Sequence, residues 1–135
     1  MAYKTVILDG KAVSQLVTNA AATLPSTLGN VSAAGAFAPA DYYSARLFVF
    51  GDNQQSTDGT ELVAAGAGGS AYQINDGDLR VLTLAESQTV SKNDKLYIGA
   101  DGQVTKATAG GLVAYAEESV TTGVGVTAQI AVTMA

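Results

Sequence analysis

Apolar and polar positions alternate in short runs along the second half of the chain, and turn residues cut those runs at close intervals. In 79–85, Leu79, Val81, Thr83 and Ala85 fall on one face of a strand, and Arg80, Leu82 and Leu84 on the other. Further strands are predicted at 72–74, 89–90, 95–98, 103–106, 112–116 and 124–134. Between them stand Asn75-Asp76-Gly77-Asp78, Asn93-Asp94, Asp101-Gly102, Gly110-Gly111 and Gly123-Val124-Gly125. This is the pattern of a compact antiparallel meander, and the Asp101-Gly102 hairpin is its clearest local signal. In 124–134 the residues Val124, Val126, Ala128, Ile130 and Val132 oppose Gly125, Thr127, Gln129, Ala131 and Thr133, as in a half-buried strand. The Asp-Gly pairs recur as turn chemistry, and no internal sequence repeat is evident.

The first half is less regular. Residues 1–8 form an extended arm whose free front end suits it to pair with a sheet edge of its own chain or of a neighbour. Over 11–24, Val13, Leu16, Val17 and Ala20 follow helical spacing, so a short helix ending before Pro25 competes with a strand favoured by the β-branched content. Segment 26–41 is small, polar and punctuated by Gly and Pro. It reads either as a long surface loop or as a segment ordered by a partner. Residues 42–50, YYSARLFVF, read as a central strand with Leu47, Phe48, Val49 and Phe50 buried on both faces. A polar loop follows at 51–59, then a brief strand at 61–64. AGAGGS at 65–70 reads as a flexible linker. The organisation expected is an arm over 1–10 and one β-rich domain over 11–135, any internal boundary falling at 65–70.

Composition narrows the reading. The chain has 135 residues, and 47% of them are apolar, but 24 are alanine and only three are Phe. A core built largely from Ala and Val removes less apolar surface from water than one of Leu and Phe. Fifteen glycines add to the entropy lost on folding, so part of the stability is expected from subunit contacts. The net charge of −5 and the scattered Lys4, Lys11, Arg46, Arg80, Lys92, Lys95 and Lys106 argue against direct nucleic-acid binding. No apolar stretch approaches the length of a membrane span, so no membrane partner is expected.

Candidate chemistry is sparse. With no cysteine there is no disulfide or thiol nucleophile, and with no histidine a Ser-His-Asp relay is excluded. Asp76, Asp78 and Glu86 miss calcium-loop spacing: with Gly77 in the sixth position, Tyr72 and Ile74 fall first and third. The acids Glu117 and Glu118 are strand neighbours that point apart rather than converge. Gly66 to Ser70 lacks the lysine of a phosphate loop. No enzyme activity, metal or cofactor is expected.

Asn93-Asp94-Lys95-Leu96-Tyr97-Ile98, Asp101-Gly102-Gln103-Val104, Gly111-Leu112-Val113-Ala114-Tyr115-Ala116-Glu117 and Gly123-Val124-Gly125-Val126-Thr127-Ala128-Gln129-Ile130 together resemble the capsid decoration, or cement, proteins of tailed bacteriophages. The resemblance spans roughly residues 75–135. Asn93 stands where glycine is commoner in the family, and 24–40 has no counterpart in it. The resemblance implies an all-β fold, a small β-barrel or β-tulip. It also implies a structural virion protein on the outer head surface that stabilises contacts between major capsid protein subunits, usually as a homotrimer. The expected interface residues are the arm, Ala2, Tyr3, Lys4, Thr5, Val6, Ile7 and Leu8, with Phe37, Pro39, Tyr42 and Tyr43. The alternatives are a carbohydrate- or cell-surface-binding module of a phage fibre, using Tyr72, Tyr97 and Tyr115, or another virion component such as a tail-tube protein.

Overall fold

The computed structural model describes residues 7–9, 14–41, 46–53, 62–108 and 110–135. The fold is all-β and consists of two closed five-stranded barrels in tandem. The first contains β2 (Ser14–Asn19), β3 (Leu28–Val31), β4 (Ala36–Pro39), β5 (Phe48–Asn53) and β6 (Gly68–Gln73). Its order is β2-β4-β3-β5-β6, and β6 closes on β2. The second contains β7 (Leu79–Leu84), β9 (Lys95–Ile98), β10 (Val104–Thr105), β11 (Leu112–Ala116) and β13 (Ala128–Met134), in the order β7-β10-β9-β11-β13, with β13 closing on β7. Closure satisfies the backbone groups that an open sheet would leave at its edges.

The two barrels have the same topology. In each, the first strand pairs parallel with the third (β2 with β4, β7 with β10), and every other pairing is antiparallel. In each, the segment after the first strand is clasped to the segment before the last. This is the Thr23–Val63 bridge in the first barrel, and β8 (Thr89–Val90) paired with β12 (Val120–Thr121) in the second. A tight turn then precedes each last strand: Ala67 N–H donates to the Ala64 carbonyl at 3.2 Å, and Val126 N–H to that of Gly123 at 3.2 Å. The third residue of each turn is a glycine at positive φ, Gly66 at 84° and Gly125 at 72°. The repeat is invisible in the residue string because a barrel demands only inward apolar positions and turn residues, and the two halves meet that demand with different side chains.

Several expectations are corrected. The helical spacing at 11–24 is overridden: 14–19 is β2, with Val17 and Asn19 buried and Leu16 and Thr18 exposed, a period of two. Segment 26–41 is no loop, since it carries the β3–β4 hairpin. The AGAGGS stretch forms a turn and the start of β6, not a linker. These glycines belong in strands because rings lie over them: a Cβ on Gly29 would meet Phe37 Cζ at 2.5 Å, and one on Gly69 would meet Phe50 Cζ at 2.7 Å. Residues 51–53 extend β5, the 61–64 strand shrinks to the single bridge at Val63, and the last strand begins only at Ala128. The meander over 90–135 closes through β7, which lies outside it.

Two cores result. Phe37 and Phe50 stack at 4.8 Å between ring centroids inside the first barrel, with Val17, Phe48, Val63 and Ala71. Val49 points the other way on β5 and joins Leu28 and Ala40 against the second barrel's Leu82, Leu84, Leu96, Ile98, Ile130 and Val132. β5 is therefore central because its alternate residues serve two cores. Backbone bonds tie the junction: Thr83 N–H to the Ser26 carbonyl at 3.0 Å, and Gly102 N–H to that of Ala40 at 2.6 Å.

Candidate interaction surface

Among the described residues, no group of three or more His, Cys, Asp or Glu is placed to hold a metal, and no helix is long and apolar enough to cross a membrane. Of the acids considered in the sequence, Asp78 and Glu118 have structural partners. Asp78 lies buried against Arg80, Oδ2 to Nη2 at 2.7 Å, and accepts the Asn75 N–H at 3.2 Å. It therefore closes a polar turn and neutralises a fully buried guanidinium. Glu118 Oε2 accepts the Ala131 N–H at 3.0 Å. Asp94 Oδ2 accepts the Ser91 N–H at 2.8 Å and sits 3.3 Å from Lys106 Nζ. That backbone bond, and then Lys106, hold the Asp94 carboxyl below the ordinary value.

Of the expected interface residues, Ile7, Leu8, Phe37 and Pro39 are described. Ala2, Tyr3, Lys4, Thr5, Val6, Tyr42 and Tyr43 lie outside the described residues. Ile7 and Leu8 belong to β1 (Ile7–Asp9), which runs antiparallel to β7 of the same chain in register Ile7–Arg80. Phe37 is fully buried on Phe50, so it serves the first core rather than an outer surface; Pro39 is half-buried at the end of β4. The three tyrosines of the alternative reading separate too. Tyr72 packs at the barrel junction, whereas Tyr97 and Tyr115 share the outer face of β9 and β11, with Lys95 opposite Tyr115.

The large apolar side chains that the structure exposes lie mostly outside the expected set. Val124 is 88% exposed and Val126 55%, both on the turn before β13; Leu62 is 60% exposed beside the Thr23–Val63 clasp. Two grooves flank the barrel junction. One, about 410 Å³, runs among Arg46, Leu47, Ile74, Asp76, Leu112 and Met134; Arg46 lies 5.0 Å over the Phe48 ring. The other, about 330 Å³, is lined by Ala21, Ala22, Leu24, Pro39, Leu62 and Asp101, among others. Sequence reasoning missed Leu62, Val124 and Val126 because alternation assigned them to strands. The signal that could have found the valines is the Gly-Val-Gly-Val spacing, which forces a turn and leaves both side chains outward.

No protein-family model matches the chain, and no curated protein matches it significantly. Its fold is similar to that of a solved structure, the N base of head fiber gp8.5 of bacteriophage phi29. The TM-score is 0.59 at 12% sequence identity, over 93% of this chain and 95% of that one. At that identity the likeness is one of fold, and it extends through both barrels.

Proposed function

We propose that this chain is a non-enzymatic structural component of a bacteriophage virion that seats on the outer surface of the head and binds the major capsid protein. The observation that carries the reading is the fold likeness to a head-fibre base over nearly the whole of both chains. The motif resemblance over 75–135 supports it independently. A double barrel with modest apolar cores and exposed apolar turns suits a part that gains stability by assembly. The mechanism is avidity: weak contacts from each copy add when several engage the shell together.

The test mixes purified protein with expanded heads lacking it and measures the copies bound. Saturable occupancy at symmetry-related head positions is the expected result, and absence of binding sinks the proposal. A chain lacking residues 1–5 retains the β1–β7 pairing and isolates the arm's share of binding. The second reading, a fibre module that holds a cell-surface glycan, draws on the outward Tyr97, Lys95 and Tyr115. Glycan binding abolished by Tyr115→Ala, with head binding unchanged, would favour a fibre role.

A further inference from the structure

We infer that the 123–126 turn of one copy seats in the groove around Leu62 of a second copy, giving a head-to-tail contact between chains. This deepens the assembly reading above, yet it concerns the free chain and is measured without heads. The turn is a preformed knob. Ser87 N–H and Val126 N–H both donate to the Gly123 carbonyl, at 3.0 and 3.2 Å, and Gly125 adopts a φ of 72°. The tip therefore loses little freedom on docking. Val124 projects from it almost unburied and Val126 more than half exposed, and nothing charged lies between Thr121 and Thr127.

The groove offers the complementary surface. Ala21, Ala22, Leu24, Pro39 and Leu62 supply apolar walls, and its volume of about 330 Å³ admits both isopropyl groups. Residues 20–27 and 62–70 carry no charge, in a chain of net charge −5. Copies of such a chain repel one another except where uncharged surfaces meet, and knob and groove are both of that kind. Asp101 at the groove is the exception, and residues 121–127 of the knob carry no acidic side chain. Among the described residues, the 123–126 turn does not line the groove of its own chain, so it is free to enter the groove of another copy. Because the two patches differ, the contact is heterologous: each joined pair keeps one knob and one groove unfilled, so further copies can add at either end.

Sedimentation velocity of the full chain over a range of concentrations tests this. The wild type should associate reversibly. The double variant Val124→Asp/Val126→Asp should weaken association on the order of a hundredfold, roughly tenfold per valine left in water, and Leu62→Asp should weaken it similarly. Ala107→Asp/Thr108→Asp adds the same charge at exposed positions elsewhere and should leave association unchanged. Mixing the knob variant with the Leu62→Asp variant should give a 1:1 dimer and nothing larger, since only one intact knob and one intact groove remain. A wild type monomeric at all concentrations, variants that associate like it, or a mixture that stays monomeric would each overturn the contact. A monomeric wild type that still binds heads would leave the virion reading standing.

Discussion

Replacing Gly102 by alanine should separate a glycine that permits a turn from one that permits the barrels to touch. Gly102 has φ of +70°, and Asp101 before it has φ 57° and ψ 30°, so the β9–β10 connection is a type I′ turn. A Cβ here would run into the Leu28 carbonyl oxygen and lie 2.5 Å from Thr27 Cγ2, while the Gly102 N–H donates to Ala40 O at 2.6 Å. The left-handed conformation costs a non-glycine residue roughly 1–2 kcal/mol. Forcing atoms into a packed site adds about 1–3 kcal/mol. Gly77 is the control, because its φ is +86° and its Cβ would meet nothing within 4 Å. Gly77→Ala should therefore cost only the conformational part. In urea, with a slope of about 1.5 kcal/mol/M, a loss of roughly 3 kcal/mol for Gly102→Ala lowers the midpoint by about 2 M. The Gly77 variant, losing roughly 1.5 kcal/mol, should fall by about 1 M. Equal midpoints for the two variants would refute the argument that the barrel junction depends on backbone contact at Gly102.

Phe37→Ala removes one ring of the stacked pair with Phe50 and should cost about 3–5 kcal/mol in chemical denaturation. Asp78→Asn, which deprives the buried Arg80 of its carboxylate, should cost about 3–5 kcal/mol, and Arg80→Met/Asp78→Asn should recover much of that loss. The Asp94 carboxyl should titrate below the ordinary 3.8 by NMR. Lys106→Ala should raise it only partly, since the Ser91 backbone bond remains the larger cause. Because this carboxyl is depressed in the folded state, its contribution to stability is present above the ordinary aspartate value and is lost as pH falls through the folded one. A titration midpoint at or above the ordinary value would contradict the assignment.

The strands at 79–84, 89–90, 95–98 and 112–116 were legible because alternation and turn residues agree there, and local and global demands coincide. The β3–β4 hairpin and the start of β6 were not. Gly29 and Gly69 look like loop residues until Phe37 and Phe50, distant in sequence, lie over them. β2 carried a helical spacing that its pairing with β4 and β6 overrode. Of the expected interface, Phe37 was misplaced for a related reason: an aromatic beside a Pro-Gly-rich flank resembles an exposed anchor, and only its contact with Phe50 shows it to be core.

By itself the sequence determined an all-β chain with turns at Asp101-Gly102 and Asn75-Asp76-Gly77-Asp78, a thin apolar inventory, and no histidine or cysteine for catalysis. These follow from local rules, in which side-chain period and turn chemistry act over a few residues. Only the tertiary structure decided that the strands close into two barrels of identical topology, that β5 serves both cores, and that Leu62, Val124 and Val126 remain in water. Barrel closure is set by pairings between residues far apart along the chain. Which apolar side chains end up outside is what remains once those pairings have filled the interior.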